Sequence, residues 1–299
     1  MSESHNDSYK LTFSQREGIN PLPESMRLKH IPKKFKQVVW KAISSEIDET
    51  EVYRGTYRFA SYPNIGTILY DYEFEVLIKF HNDIESYQDS HKCDSFFYKL
   101  ICEDSDDNNY HKILTVLEFM LRHDACPEGL YKSLVDAFNE TPIAYFVEKI
   151  GGLPTIVPRI SHEAGEATRQ AIKVIRQGVQ GGASTHLRQA AEHINTEQYA
   201  DAVADSISAV ESVARQIAPE AKGLGQALKV LEKKGVIINQ QLKAGFEKLY
   251  AYSNSEEGIR HALLNKDSSD AGLDEAMFMF GACASFAAYL VSKYRQTEH

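Results

Sequence analysis

The 299-residue chain has only four cysteines, Cys93, Cys102, Cys126 and Cys283, and no two are spaced as CxxC. So sparse and irregular a set offers no disulfide framework. His81, His91, His111 and His123 fall among the first three cysteines, but the spacings match no zinc-ligand pattern. Scattered helix and loop residues are the simpler reading, so no metal is expected. Long hydrophobic runs are scarce too. The most apolar tract, 276–291, contains Gly281, Cys283 and Ser285 and falls short of the roughly 20 residues a membrane span requires. The first eight residues are polar and lack the apolar stretch of a secretory signal. These absences predict a cytoplasmic protein that does not enter a membrane.

Several chemical signatures are missing as well. There is no GxxxxGK[ST], and the glycine pairs Gly151-Gly152 and Gly181-Gly182 lack the lysine and hydroxyl partner that a phosphate loop needs. No GxSxG elbow, HExxH helix or EF-hand loop occurs. This excludes the common nucleotide-hydrolysing, serine-hydrolase and zinc-protease designs, and no cofactor is expected.

What is present suits an ordered protein. Hydrophobic residues make up 43% and charged residues 25%, ordinary globular usage. The length suggests two domains. The formal net charge of -9 is uneven: residues 1–150 hold 17 basic against 25 acidic residues, and 151–299 hold 16 against 17. A protein that coats nucleic acid by charge alone is basic, so any such contact here must be local.

The pattern predicts a mainly α protein. Residues 1–12 read as a mobile tail, 13–158 as an N-terminal helical domain ending in a short β-hairpin, and 159–299 as a helical bundle. Residues 29–41 interleave lysines with Phe35, Val38, Val39 and Trp40 at helical spacing from Lys33. This is either a local phosphate contact or an amphipathic helix with Trp40 in the core, and the spacing favours the second. Residues 67–86 fit a helix or a strand, with Glu and Leu favouring the helix; helices are expected over 110–122 and 128–138, with a polar loop at 102–109. The apolar runs 144–147 and 155–157 flank Gly151-Gly152 as a hairpin. Beyond it, Ser161 reads as an N-cap with Glu163 and Glu166 in the first turn. Gly181-Gly182 stops that helix, and Ser184 or Thr185 starts the next. Thr196 caps a helix whose apolar positions run from Ala200 to Ile217. Further helices are expected over 224–233, 240–252 and 273–294. In the last, Met277, Phe280, Ala284, Ala287 and Val291 form a stripe that, with Gly281, allows either core packing or close contact with a second subunit.

Chemistry concentrates at 250–261. A polar turn presenting Ser253, Asn254 and Ser255 leads to Gly258, Ile259, Arg260 and His261. Adjacent Arg and His project about 100° apart on a helix and can border one cleft. Arg offers a fixed charge shaped for phosphate, and His exchanges protons near neutral pH. The alternative is that Arg260 pairs with a nearby acid and His261 packs.

Here the sequence resembles a known family. Asp205-Ser-Ile-Ser-Ala-Val-Glu-Ser212, Leu224-Gly-Gln-Ala-Leu-Lys229, Glu257-Gly-Ile-Arg-His-Ala262 and Phe286-Ala-Ala-Tyr-Leu290, in this order, resemble the C-terminal region of AbiJ-type abortive-infection proteins. Phe13-Ser-Gln-Arg-Glu-Gly18 and Trp40 resemble the start of the N-terminal domain that accompanies it. The resemblance implies a HEPN-like helical bundle, a fold that commonly dimerises and often acts as a metal-independent endoribonuclease (a toxin or antiviral-defence hydrolase). It implies RNA, tRNA among the candidates, as substrate, a homodimer through the C-terminal helices, and a defence-system partner protein. It places Arg260 and His261 at the catalytic motif and Asp205 and Glu211 as acids that orient the arginine. Asn265, Lys266, Ser253 and Asn254 are the expected RNA contacts. In the family a histidine follows the arginine by five to seven positions. Here those positions hold Asn265, Lys266 and Asp267, so the motif is incomplete. A non-catalytic HEPN-like module that binds a partner protein or nucleotide is the alternative.

Overall fold

The computed structural model describes residues 26–54, 65–79, 90–103, 109–178, 181–221, 224–235, 238–254 and 271–296. The expected tail at 1–12 lies outside them, as do 13–18 and the 80–86 end of the helix expected over 67–86. Helix α1 (Lys33–Arg54) buries Phe35, Val39, Ile43 and Ile47, one residue per turn. Trp40 remains at the margin of the core, edge-on to Tyr98 at 5.3 Å, because the buried stripe passes through Val39 instead. Helices α2 (Ile65–Glu75), α3 (Ser90–Tyr98), α4 (Tyr110–Arg122) and α5 (Glu128–Glu140) complete the N-terminal core. The expected loop at 102–109 begins with a π-helical turn, Lys99–Glu103, that continues α3.

In the second half, α6 (His162–Gly178), α7 (Gly182–Asn195), α8 (Tyr199–Ile217), α9 (Leu224–Lys233), α10 (Gln240–Asn254) and α11 (Leu273–Arg295) surround a separate core. Ser161 does cap α6, its Oγ accepting the N–H of Ala164 at 3.1 Å. Two expected helix starts differ. Helix α7 begins at Gly182 rather than at Ser184 or Thr185, and a Cβ on Gly182 would lie 2.5 Å from Ser212 Oγ. The glycine thus lets α7 approach α8. Thr196 ends α7 rather than starting α8, because its hydroxyl turns back to Glu192 O at 3.0 Å. Helix α8 is the centre of this bundle, touching α7, α9, α10 and α11.

Helix α11 runs 23 residues and is long and apolar enough to cross a membrane, more than its sequence tract suggested. Met277, Phe280, Ala284, Ala287 and Val291 are all buried against the chain's own helices, so the stripe is core rather than a free contact face. Its outward side carries Phe278, 59% exposed, and Ser285.

Between the cores stands the hairpin. Strands β1 (Tyr145–Ile150) and β2 (Leu153–Pro158) pair antiparallel, with Phe146 opposite Val157 and Val147 opposite Ile156. Gly151 and Gly152, at φ 60° and 90°, take the left-handed backbone that a two-residue turn demands. Side chains alternate faces along a strand. Phe146, Ile150 and Val157 therefore enter the second core, while Tyr145, Val147 and Ile156 enter the first. Arg159, 5% exposed, follows the hairpin and donates to Phe138 O and Ile143 O at 3.0 and 3.1 Å. The chain is thus mainly α, with one short hairpin among the described residues, and that hairpin has a core on each face.

Candidate functional site

Of the residues assigned by sequence, Arg260, His261, Asn265 and Lys266 lie outside the described residues. Ser253 and Asn254, expected in a turn, form the end of α10 because the helix runs on to Asn254. Their side chains lie outside what is described. Asp205 and Glu211 both stand on α8, six residues apart, which turns them about 120° from each other around the axis. They do not share a site. Asp205 faces α7, and Glu211 faces α10.

Asp205 binds two imidazoles. His186 Nδ1 lies 3.0 Å from Oδ1, and His193 Nδ1 lies 3.1 Å from Oδ2. The second contact is a close approach rather than an aligned hydrogen bond, and His193 Nδ1 is buried with no hydrogen-bond partner among the described residues. The histidines are seven residues apart on α7, two helical turns, so both project from one face. The side chains are 37%, 30% and 19% exposed for His186, His193 and Asp205, so the rings reach solvent while the carboxylate lies beneath them. The sequence reading missed both histidines. The only signal for them was their i, i+7 spacing, which gains meaning once α8 is known to lie alongside.

Glu211 is held differently. Arg215, one turn on, donates to Oε2 at 2.8 Å, and Tyr250 Oη donates to Oε1 at 2.9 Å. The second bond joins α8 to α10.

A separate groove of about 800 Å³ opens where α4, β2 and α7 meet, lined by Tyr110, Glu118, Arg122, Arg188, Glu192 and Asn195 among others. Its charges pair off internally. Arg122 contacts Glu118 at 3.1 Å and Glu192 at 2.9 Å, and Arg188 Nη1 reaches both oxygens of Glu192 at 3.0 Å. Burial pushes the Glu118 carboxyl above its ordinary value, partly offset by Arg122 and by the N–H of Ile156. Among the described residues no three His, Cys, Asp or Glu side chains are placed to hold a metal ion. Cys93 and Cys283 are buried thiols, and burial pushes Cys283 up to about 12. His123 pairs with Asp71 at 3.0 Å.

Neither a protein-family model, nor a curated protein, nor a solved structure matches this chain.

Proposed function

We propose that the chain is an abortive-infection effector that cleaves RNA as a metal-independent endoribonuclease. The reading rests on the resemblance to AbiJ-type proteins, and one contact supports it. The bond from Tyr250 Oη to Glu211 Oε1 ties an acid of the family pattern to α10, the helix that leads into the segment carrying Arg260 and His261. In this mechanism the RNA 2′-OH attacks the adjacent phosphate, His261 moves a proton, Arg260 stabilises the developing charge, and the P–O5′ bond breaks to leave a 2′,3′-cyclic phosphate and a 5′-OH. A fixed cation at a developing anion contributes several kcal/mol. DNA lacks the 2′-OH and is not a substrate. Asn265, Lys266, Ser253 and Asn254 border the bound strand, and a second copy of the chain joins through the outward side of α11.

The test is growth arrest and RNA cleavage by the full-length protein beside Arg260→Ala and His261→Ala. Cleavage by the wild type that both substitutions abolish supports the reading. Cleavage that survives both, in folded protein, overturns the assigned site.

A second reading is a non-catalytic module that binds a partner protein or nucleotide. It is favoured by Glu211 having both oxygens engaged, by Tyr250 and Arg215. A wild type that neither arrests growth nor cuts RNA selects this reading.

A further inference from the structure

The Asp205 cluster has a feature that a plain helix-to-helix ion pair does not require. One carboxylate faces two imidazoles, and it meets both through Nδ1. The hydrogen bond at His186 Nδ1 fixes that ring's orientation and leaves Nε2 as its exchangeable nitrogen, while His193 approaches the other oxygen of the same carboxylate. Both rings are partly open to solvent. Two imidazoles on one helix face supply the two groups that a reaction with one proton taken and one delivered demands. Asp201, one turn earlier on α8, is the other carboxylate on that side of the helix. The charges of Arg188 and Glu192, also on α7, face the groove beside β2 instead.

We propose that His186 and His193, oriented by Asp205, form a two-histidine acid–base centre acting on an RNA phosphodiester. This rests on the endoribonuclease reading above and places proton transfer on α7, where the incomplete Arg260-His261 motif has no downstream histidine of its own. The neutral imidazole removes the proton from the 2′-OH, and O2′ forms a bond to phosphorus. The P–O5′ bond breaks, and the imidazolium delivers its proton to O5′. The products are a 2′,3′-cyclic phosphate and a free 5′-OH, and the two rings have exchanged protonation states. Asp205 touches no reacting atom and is a positioning residue.

The experiment measures cleavage of a labelled mixed-sequence RNA oligonucleotide and its all-deoxy counterpart by the full-length protein. Variants are His186→Ala, His193→Ala, His186→Asn, Asp205→Asn and Arg260→Ala, each checked for folding by circular dichroism and thermal melting. Asparagine places an amide N–H near the Nδ1 position, so His186→Asn keeps the contact to Asp205 and removes Nε2. Both alanine variants and His186→Asn should lose at least about 100-fold in rate, the scale of general acid–base catalysis. Each single loss should remove one limb of a bell-shaped pH–rate profile, and added imidazole should restore part of the His186→Ala activity. Asp205→Asn should lower the rate by less than either alanine variant. If the wild type cleaves RNA, Arg260→Ala is inactive, and the histidine variants cut within threefold of wild type, the acid–base centre is wrong while the endoribonuclease reading stands. Full activity in His186→Asn with loss only in the alanine variants identifies a structural ion pair and likewise overturns the proposal. A folded wild type with no cleavage overturns both.

Discussion

The carboxylate of Glu118 on α4 accepts the main-chain N–H of Ile156 on β2 at 2.8 Å. In a hairpin closed by the pair Ile150–Leu153, alternate residues point their backbone groups away from the partner strand. On β2 these outward positions are Pro154, Ile156 and Pro158, and two of the three are prolines with no N–H to donate. Ile156 is therefore the one outward donor on this edge, and Glu118 takes it. Two of the outward carbonyls are covered too: Arg122 Nε donates to Pro154 O at 2.7 Å, and Asn195 Nδ2 donates to Ile156 O at 2.7 Å. An isolated two-stranded hairpin is marginal in water and leaves unpaired edges. Here α4 and α7 pair one edge with side chains, which holds the two halves of the chain to the same strand.

Glu118→Ala should destabilise the protein by about 1–3 kcal/mol, because it leaves the buried Ile156 N–H without a partner. Glu118→Gln keeps an acceptor and should cost less. The sign of the pH effect is also fixed. A carboxyl raised by burial disfavours folding once it must ionise, so stability contributed at this site falls as pH rises from its ordinary value through the higher folded value. Urea unfolding of wild type and Glu118→Gln across mildly acidic pH checks both points. A slope unchanged by Glu118→Gln would contradict this assignment.

Two glycine substitutions should move in opposite directions. A Cβ on Gly178, the last residue of α6, would fall onto Val291 Cγ1 of α11, with Arg295 Cζ 3.4 Å away. Gly178→Ala must push the α6–α11 contact apart and should cost about 1–3 kcal/mol. Gly281, inside α11, meets nothing within 4 Å. Gly281→Ala should be neutral or stabilise by up to about 1 kcal/mol through helix propensity. Chemical denaturation of the two variants side by side reads the difference.

Tyr250→Phe removes the bond from α10 to Glu211 while keeping the ring. The expected cost is about 1 kcal/mol. It should be local: amides of α10 (240–254) exchange faster, while those of α8 are unchanged, because α8 is also held by α7 and α11. Hydrogen exchange by mass spectrometry separates this from a global loss of stability.

Lys29 and Glu197 pair at 2.8 Å, and each adopts a left-handed backbone, at φ 64° and 62°. The pair pins the segment before α1 to the α7–α8 turn, and Tyr110 Oη donates to the same carboxylate at 3.1 Å. The Lys29 hydrogen bond holds the Glu197 carboxyl below its ordinary value, and Glu197 holds the lysine above its own. A lowered acid stabilises above its unfolded pKa and loses that contribution as pH falls through the folded one. A raised lysine stabilises below its unfolded pKa and loses the contribution as pH rises. The stability gap between wild type and Lys29→Met/Glu197→Gln should thus be flat at neutral pH and shrink below about 4.5. With side chains 39% and 51% exposed, the gap should be at most about 1 kcal/mol. Thermal melting in a pH series measures it.

Local pattern alone placed most of the helices and the hairpin turn. The 3–4 spacing of Ala200, Val203, Ile207, Val210, Val213 and Ile217 marks α8, and Gly151-Gly152 between two β-rich runs marks the turn. The period of burial is written directly into those residues. Helix ends were less legible: Thr196 carries the same hydroxyl whether it caps forward or backward, and only the path of the chain sends it back to Glu192. Which helices flank α8 was beyond the sequence altogether, because contact between α7 and α8 or α10 and α8 depends on the global packing of several faces at once. That packing separated Asp205 from Glu211, gave the first to His186 and His193, and gave the second to Tyr250. The sequence determined which residue types the chain has for acid–base chemistry; tertiary structure decided which of them meet, because side chains far apart along the chain share a carboxylate only where two helices lie side by side.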